Sequence, residues 1–183
     1  MGEPARFELH TRRCIGVGPL REAVRETIVD AVTSDRGLGY AAAGLAYVVA
    51  GVHLAHPTHG VPRLVLVLSV DPGLLALDPR PLAFALSGLA ILAGVTAAVA
   101  GVPRRGLYAA GIALMVASLV GYFAWHASGH GGFIPGREAV APHGHTFVEL
   151  VVEHLQVDPW ARVAVPAELL LAGVLSVLLV RES

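Results

Sequence analysis

Four long apolar runs dominate this chain and leave few folds open to it. They cover residues 37–56, 81–101, 106–127 and 164–180. A helix needs about 20 mostly apolar residues to cross a bilayer, and about 17 is the lower limit. Inside hydrocarbon every backbone N–H and C=O must find a partner within the protein, which a helix provides by itself. The sequence therefore predicts an all-α, polytopic membrane bundle of four transmembrane helices, with the lipid bilayer as its first partner. Composition agrees: 55% of the residues are hydrophobic and only 15% are charged, against about 25% in a soluble domain.

The segments between the runs complete the plan. Residues 1–36 read as a cytoplasmic N-terminal segment, irregular over 1–18 and an amphipathic helix over 19–34. Leu20, Val24, Ile28 and Val32 recur there at helical spacing, opposite Arg21, Glu22, Arg25, Glu26 and Asp30. This segment is polar and Arg-rich, unlike a signal peptide. Residues 37–180 form the transmembrane domain, with long loops at 57–80 and 128–163. Within the first loop, 61–77 is apolar but broken by Asp71-Pro72-Gly73. A charge and a turn at the bilayer centre are costly, so two short helices at the membrane surface are expected instead of a fifth crossing. Pro166 is placed in the first turn of the fourth span, and Glu168 near that helix's N-terminus, where the helix dipole favours a carboxylate.

Arginine sets the orientation. The chain has thirteen Arg and no Lys. With four spans, nine fall on one side: Arg6, Arg12, Arg13, Arg21, Arg25, Arg36, Arg104, Arg105 and Arg181. The other side holds Arg63, Arg80, Arg137 and Arg162. Basic residues favour the cytoplasmic face, so both termini are expected there in a multi-pass protein of the cell membrane. Trp125 and Trp160 read as interfacial anchors on the outer side, Tyr40 and Tyr108 on the inner.

Small residues recur at steps of three and four in three spans: Gly39, Ala43, Ala46 and Ala50; Ala83, Ser87, Ala90, Gly94, Ala97 and Gly101; Ala110, Ala113, Ala117, Gly121 and Ala124. Such stripes let membrane helices approach closely. They are expected to form the helix interfaces, with Leu92 turned to lipid.

The composition excludes several functions. A net charge of −1 does not suit a nucleic-acid binder. Cys14 is the only cysteine, so neither an intrachain disulfide nor a cysteine metal cluster can form. No nucleophile elbow, Cys–His pair or nucleotide fingerprint is present. The Gly-rich run 129–136 lacks the Lys-Ser/Thr of a phosphate loop. Nothing names a reaction, and the balance is against an enzyme.

The histidines carry what functional signal there is. Of nine, eight fall at the outer face: His53, His56, His59, His126, His130, His143, His145 and His154. His126 and His130 are four apart, a spacing that puts two imidazoles on one helix face. His143 and His145 are candidate ligands from the loop, ahead of a short helix that opens with a Thr146–Glu149 capping box and ends near His154. His53 continues the small-residue stripe of span one and should face the bundle. Glu168 should do the same, since a lipid-facing carboxyl is expensive. His53, His126 and Glu168 are then expected at similar depth in one site.

Imidazole binds Zn, Cu and haem iron. The candidate metal residues are therefore His53, His56, His126, His130 and Glu168, with loop ligands His143 and His145. The corresponding function is a Cu- or Zn-binding accessory subunit of a redox or transport complex, working with other membrane subunits or as a homo-oligomer. The alternatives are a haem b electron-transfer subunit, a proton-relaying or pH-sensing site, and a structural or assembly subunit whose histidines only hydrogen-bond at the interface.

Overall fold

The structure, a computed structural model, describes residues 34–140 and 146–182. The expected amphipathic helix over 19–34 lies outside the described residues but for Ser34, and so do His143 and His145. Among the described residues the chain is all-helical: α1 (Asp35–Ala55), α2 (Val61–Val70), a 3-10 helix (Pro72–Ala76), α3 (Arg80–Val99), α4 (Arg104–Ala127), α5 (Phe147–Val157) and α6 (Pro159–Arg181). Four of these, α1, α3, α4 and α6, are long and apolar enough to cross a membrane. Leu82, Leu86 and Leu89 on α3, Val116 and Val120 on α4, and Leu169 and Leu170 on α6 are exposed. An apolar surface of this extent suits lipid and not water.

Local chemistry sets the helix ends. Ser34 caps α1, its hydroxyl accepting from the Gly37 N–H at 3.1 Å. Pro sits in the first turn of α2, α3 and α6, where its missing N–H costs nothing. Residues 61–77 form the two short helices expected of them. Asp71 joins the two, its carboxylate accepting from the Gly73 N–H at 2.8 Å. The capping box at Thr146 and Glu149 is present.

Helix α6 departs from expectation at its start. It begins at Pro159, not 164, because Asp158 accepts from the Trp160 N–H at 2.8 Å and fixes the first turn there. Arg162, whose charge ends the apolar run, lies inside this helix and donates back to the carbonyls of Leu155 and Gln156 at the end of α5. Pro166 is thus an interior proline, and Glu168 stands well beyond the first turn, out of reach of the helix dipole.

The core lies between α1 and α6, flanked by α3 and α4. Val49 and Met115 are fully enclosed, among Ala42, Ala46, Ala50, Ile91, Leu171, Leu175 and Leu178. The main packing pairs are α1 with α3, α1 with α6, and α4 with α6. Helices α3 and α4 meet only lightly, although a short turn joins them.

That arrangement corrects the small-residue reading in two of three helices. Ala46 and Ala50 of α1 are buried, but on α3 the buried face is Pro81, Ala85, Gly88 and Ile91, while Ala83 and Ala90 are exposed. Gly94 has nothing among the described residues within 4 Å of a Cβ position, and Leu92 packs against the core instead of facing lipid. On α4 Ala110, Ala113, Ala117, Gly121 and Ala124 are all exposed, and Met115, Leu119 and Trp125 are buried. In Ala- and Gly-rich helices small residues recur on more than one face, so spacing alone does not identify the interface; complementarity of volume does. Gly88 shows where close approach is required: a Cβ there would sit 2.6 Å from Leu54 Cγ and 3.3 Å from the Ala50 carbonyl oxygen.

Candidate functional site

One end of the bundle holds a cavity of about 400 Å³. All four long helices line it: Val52 and His53 from α1, Phe84 and Ser87 from α3, Tyr122 and His126 from α4, and Ala164 and Glu168 from α6. His56, His59, His154 and Asp158 line it as well. Exposed Ala83 on α3 and exposed Ala117 and Gly121 on α4 belong to the same wall. The cavity is thus open where α3 and α4 stand apart.

Two clusters of polar groups meet in this cavity. In the first, His53 Nε2 lies 2.8 Å from Glu168 Oε1. Both residues are nearly inaccessible, at 3% and 4% exposure. Phe84 covers the imidazole, with ring centroids 4.7 Å apart. The convergence of α1 and α6 brings the two together. Each alone would be a buried polar group without compensation, and the bond between them offsets that cost.

The second cluster is a histidine triad. His126 is in the last turn of α4, His130 in the turn that follows, and His154 near the end of α5. One ring nitrogen from each can be chosen so that all three lie within 4.8 Å of one another. His130 Nε2 and His154 Nε2 are 3.3 Å apart, and the His126 and His154 ring centroids are separated by 4.2 Å. His126 Nδ1 donates to the Tyr122 carbonyl at 2.8 Å, which leaves the Nε2 lone pair as the atom it could offer a metal. His130 has φ +59°, a left-handed conformation unusual for a non-glycine residue. A backbone held there re-aims the side chain at a cost of the order of 1–3 kcal/mol.

A rim of charged and aromatic groups closes this end. Arg80 makes a two-pronged ion pair with Asp78, at 2.8 and 2.7 Å. Burial works against the Asp78 carboxylate, but the hydrogen bonds and charge of Arg80 outweigh it and hold its pKa below the ordinary value. The Arg80 guanidinium also stands 3.8 Å from the Trp125 ring centre, and that of Arg137 stands 4.5 Å away. His56 and His59 pack edge to face, 4.5 Å between centroids. The His59 pKa is pushed down to about 4, first by burial, then by the charges of Arg80 and His56.

The candidate ligands named from sequence therefore separate. His53 pairs with Glu168; His126 and His130 join a triad; His56 packs edge to face against His59 and lies 3.9 Å from Asp158. His53, His126 and Glu168 share one cavity but not one set of contacts. In the sequence His154 is only an outer histidine at the end of a short helix, and its place in the triad comes from the fold of α5 onto α4. Asp158 and Tyr122 carried no signal beyond their neighbours in sequence. Comparison with protein families, curated proteins and solved structures finds no match for this chain.

Proposed function

We propose that this membrane protein binds a transition-metal ion, Zn²⁺ or Cu²⁺, through His126, His130 and His154. The observation that carries it is the convergence of three ligand nitrogens within 4.8 Å. Two ligands of a tetrahedral ion bound at about 2.0–2.1 Å lie roughly 3.3 Å apart, and the His130–His154 nitrogen separation is 3.3 Å. The Tyr122 carbonyl bond gives His126 the orientation and tautomer that metal-bound histidines need. Three imidazoles with no thiolate suit Zn or Cu and leave a fourth position for water or a partner's ligand.

Haem b is less well supported. A bis-histidine haem needs a flat slot between two imidazoles, whereas the three rings here contact one another at 4.2–5.5 Å between centroids. The Arg distribution supports a cell-membrane protein with both termini cytoplasmic and the triad on the outer side. An accessory role beside a redox or transport subunit fits a three-ligand site with an open position.

The test is metal titration of the purified full chain, stripped with chelator in mild detergent. One Zn²⁺ or Cu²⁺ per chain is expected. His154→Ala should weaken binding by at least about 100-fold, the scale of losing a supporting contact, while His53→Ala should leave stoichiometry unchanged. Equal binding by wild type and His154→Ala would exclude the triad as the site.

A further inference from the structure

The same cavity carries a second demand that a metal at the triad does not meet. Three buried polar atoms around it have no hydrogen-bond partner among the described residues: His53 Nδ1, the Tyr122 hydroxyl and Trp125 Nε1. All three residues line the cavity. A buried donor or acceptor without a partner costs roughly 1–3 kcal/mol; each of these atoms is itself enclosed, and a small rotation of its side chain towards the cavity would let a polar ligand there pair with it. With His53 Nε2–H donating to Glu168, Nδ1 carries a lone pair and accepts; Tyr122 and Trp125 donate.

The remaining walls restrict what can enter. Phe84, Tyr122, Trp125 and Trp160 give the space aromatic sides, and the rest is mostly apolar. About 400 Å³ far exceeds the roughly 30 Å³ share of one water and lies within the range of small-molecule sites. Glu168, nine residues beyond Pro159, lies roughly 14 Å into the helix. The space opens between α3 and α4, two of the four helices long and apolar enough to cross a membrane, which favours a ligand that partitions into the bilayer.

We propose that this cavity binds the head group of a membrane-soluble quinone or quinol, its ring between the aromatic walls and its oxygens at His53, Tyr122 and Trp125. A flat ring fills the aromatic space. Its oxygens accept from the Tyr122 O–H and Trp125 N–H in either redox form, and the quinol O–H donates to His53 Nδ1. An acyl chain would leave all three groups unpaired. This inference goes beyond metal binding and does not depend on it.

The chain contains two tryptophans, Trp125 and Trp160, and both line the cavity, so intrinsic tryptophan fluorescence reports on this space alone. The chelator-treated full chain in mild detergent would be titrated with a decyl-substituted benzoquinone, a tryptophan quencher. Saturable quenching is expected, reversed by 4-hexylphenol but not by hexylbenzene. Tyr122→Phe should weaken the quinone by about tenfold, the loss of one hydrogen bond. That variant removes an oxygen with no partner among the described residues, so it should fold as the wild type does. Quenching that rises linearly, as for a tryptophan peptide in the same micelles, would overturn the proposal. Unchanged affinity in both Tyr122→Phe and His53→Ala, or equal displacement by hexylbenzene, would do the same. Use of metal-free protein keeps these outcomes separate from failure of the triad.

Discussion

His53 Nε2 and Glu168 Oε1 stand 2.8 Å apart across 115 positions of sequence. This bond joins the first long helix to the last near the floor of the cavity. With both groups almost wholly buried, it is the polar contact between these helices most sensitive to loss of one partner. Removing one side leaves a buried group unsatisfied, whereas replacing both with apolar residues removes the demand as well as the bond.

Glu168→Ala should accordingly lower stability by about 1–3 kcal/mol, the cost of leaving a buried hydrogen-bonding group unpaired. His53→Leu combined with Glu168→Leu should cost less than the sum of the single changes. Thermal unfolding followed by circular dichroism in detergent measures all three. Strict additivity would mean that the two residues are not coupled.

Gly88 and Gly94 make a matched pair on α3. At Gly88 an added Cβ meets Leu54 Cγ at 2.6 Å and the Ala50 carbonyl at 3.3 Å, while at Gly94 it meets nothing within 4 Å. Gly88→Ala should destabilise by about 1–3 kcal/mol through overpacking. Gly94→Ala should be neutral or stabilising by up to about 1 kcal/mol, since alanine is the better helix former. Melting temperatures of the two variants give the comparison directly, and similar losses at both sites would contradict the packing of α3 against α1.

Acid should weaken the fold through His59. Its folded pKa, about 4, lies below the ordinary histidine value of 6.5. Between these values the unfolded chain binds a proton that the folded chain refuses, so stability falls as pH drops from about 6.5 to 4 and levels off below. Unfolding curves across that window should show the decline, and His59→Gln should make it shallower, the remainder coming from groups such as His56, whose pKa burial also lowers. An identical pH profile in the variant would remove His59 from the explanation.

Sidedness can be read by single-cysteine labelling in a background where Cys14 is replaced. With the termini cytoplasmic, a cysteine at position 104 should react only after the membrane is permeabilised, and one at position 135 should react from outside in intact cells. Labelling of position 104 from outside would reverse the orientation.

The number of long helices, their approximate limits and the break of 61–77 into two short helices follow from the sequence because hydrocarbon acts on each segment separately. A run of apolar residues, a proline at a helix start or an Asp-Pro-Gly break has its effect whatever the neighbours are. The inward direction of His53 and Glu168 could be read for the same reason, since lipid penalises the opposite choice at each position alone. The packing faces of α3 and α4 could not, because several faces carry small residues and only the shapes of the neighbouring helices select among them. The start of α6 depended on a cap at Asp158 that the apolar run does not register. The grouping of the histidines was likewise a tertiary matter: His154 reaches His126 and His130 because α5 folds back onto the end of α4, and His53 is held by Glu168 because α1 packs against α6. Such pairings join residues far apart in the chain, and the distances between them exist only once the helices have docked.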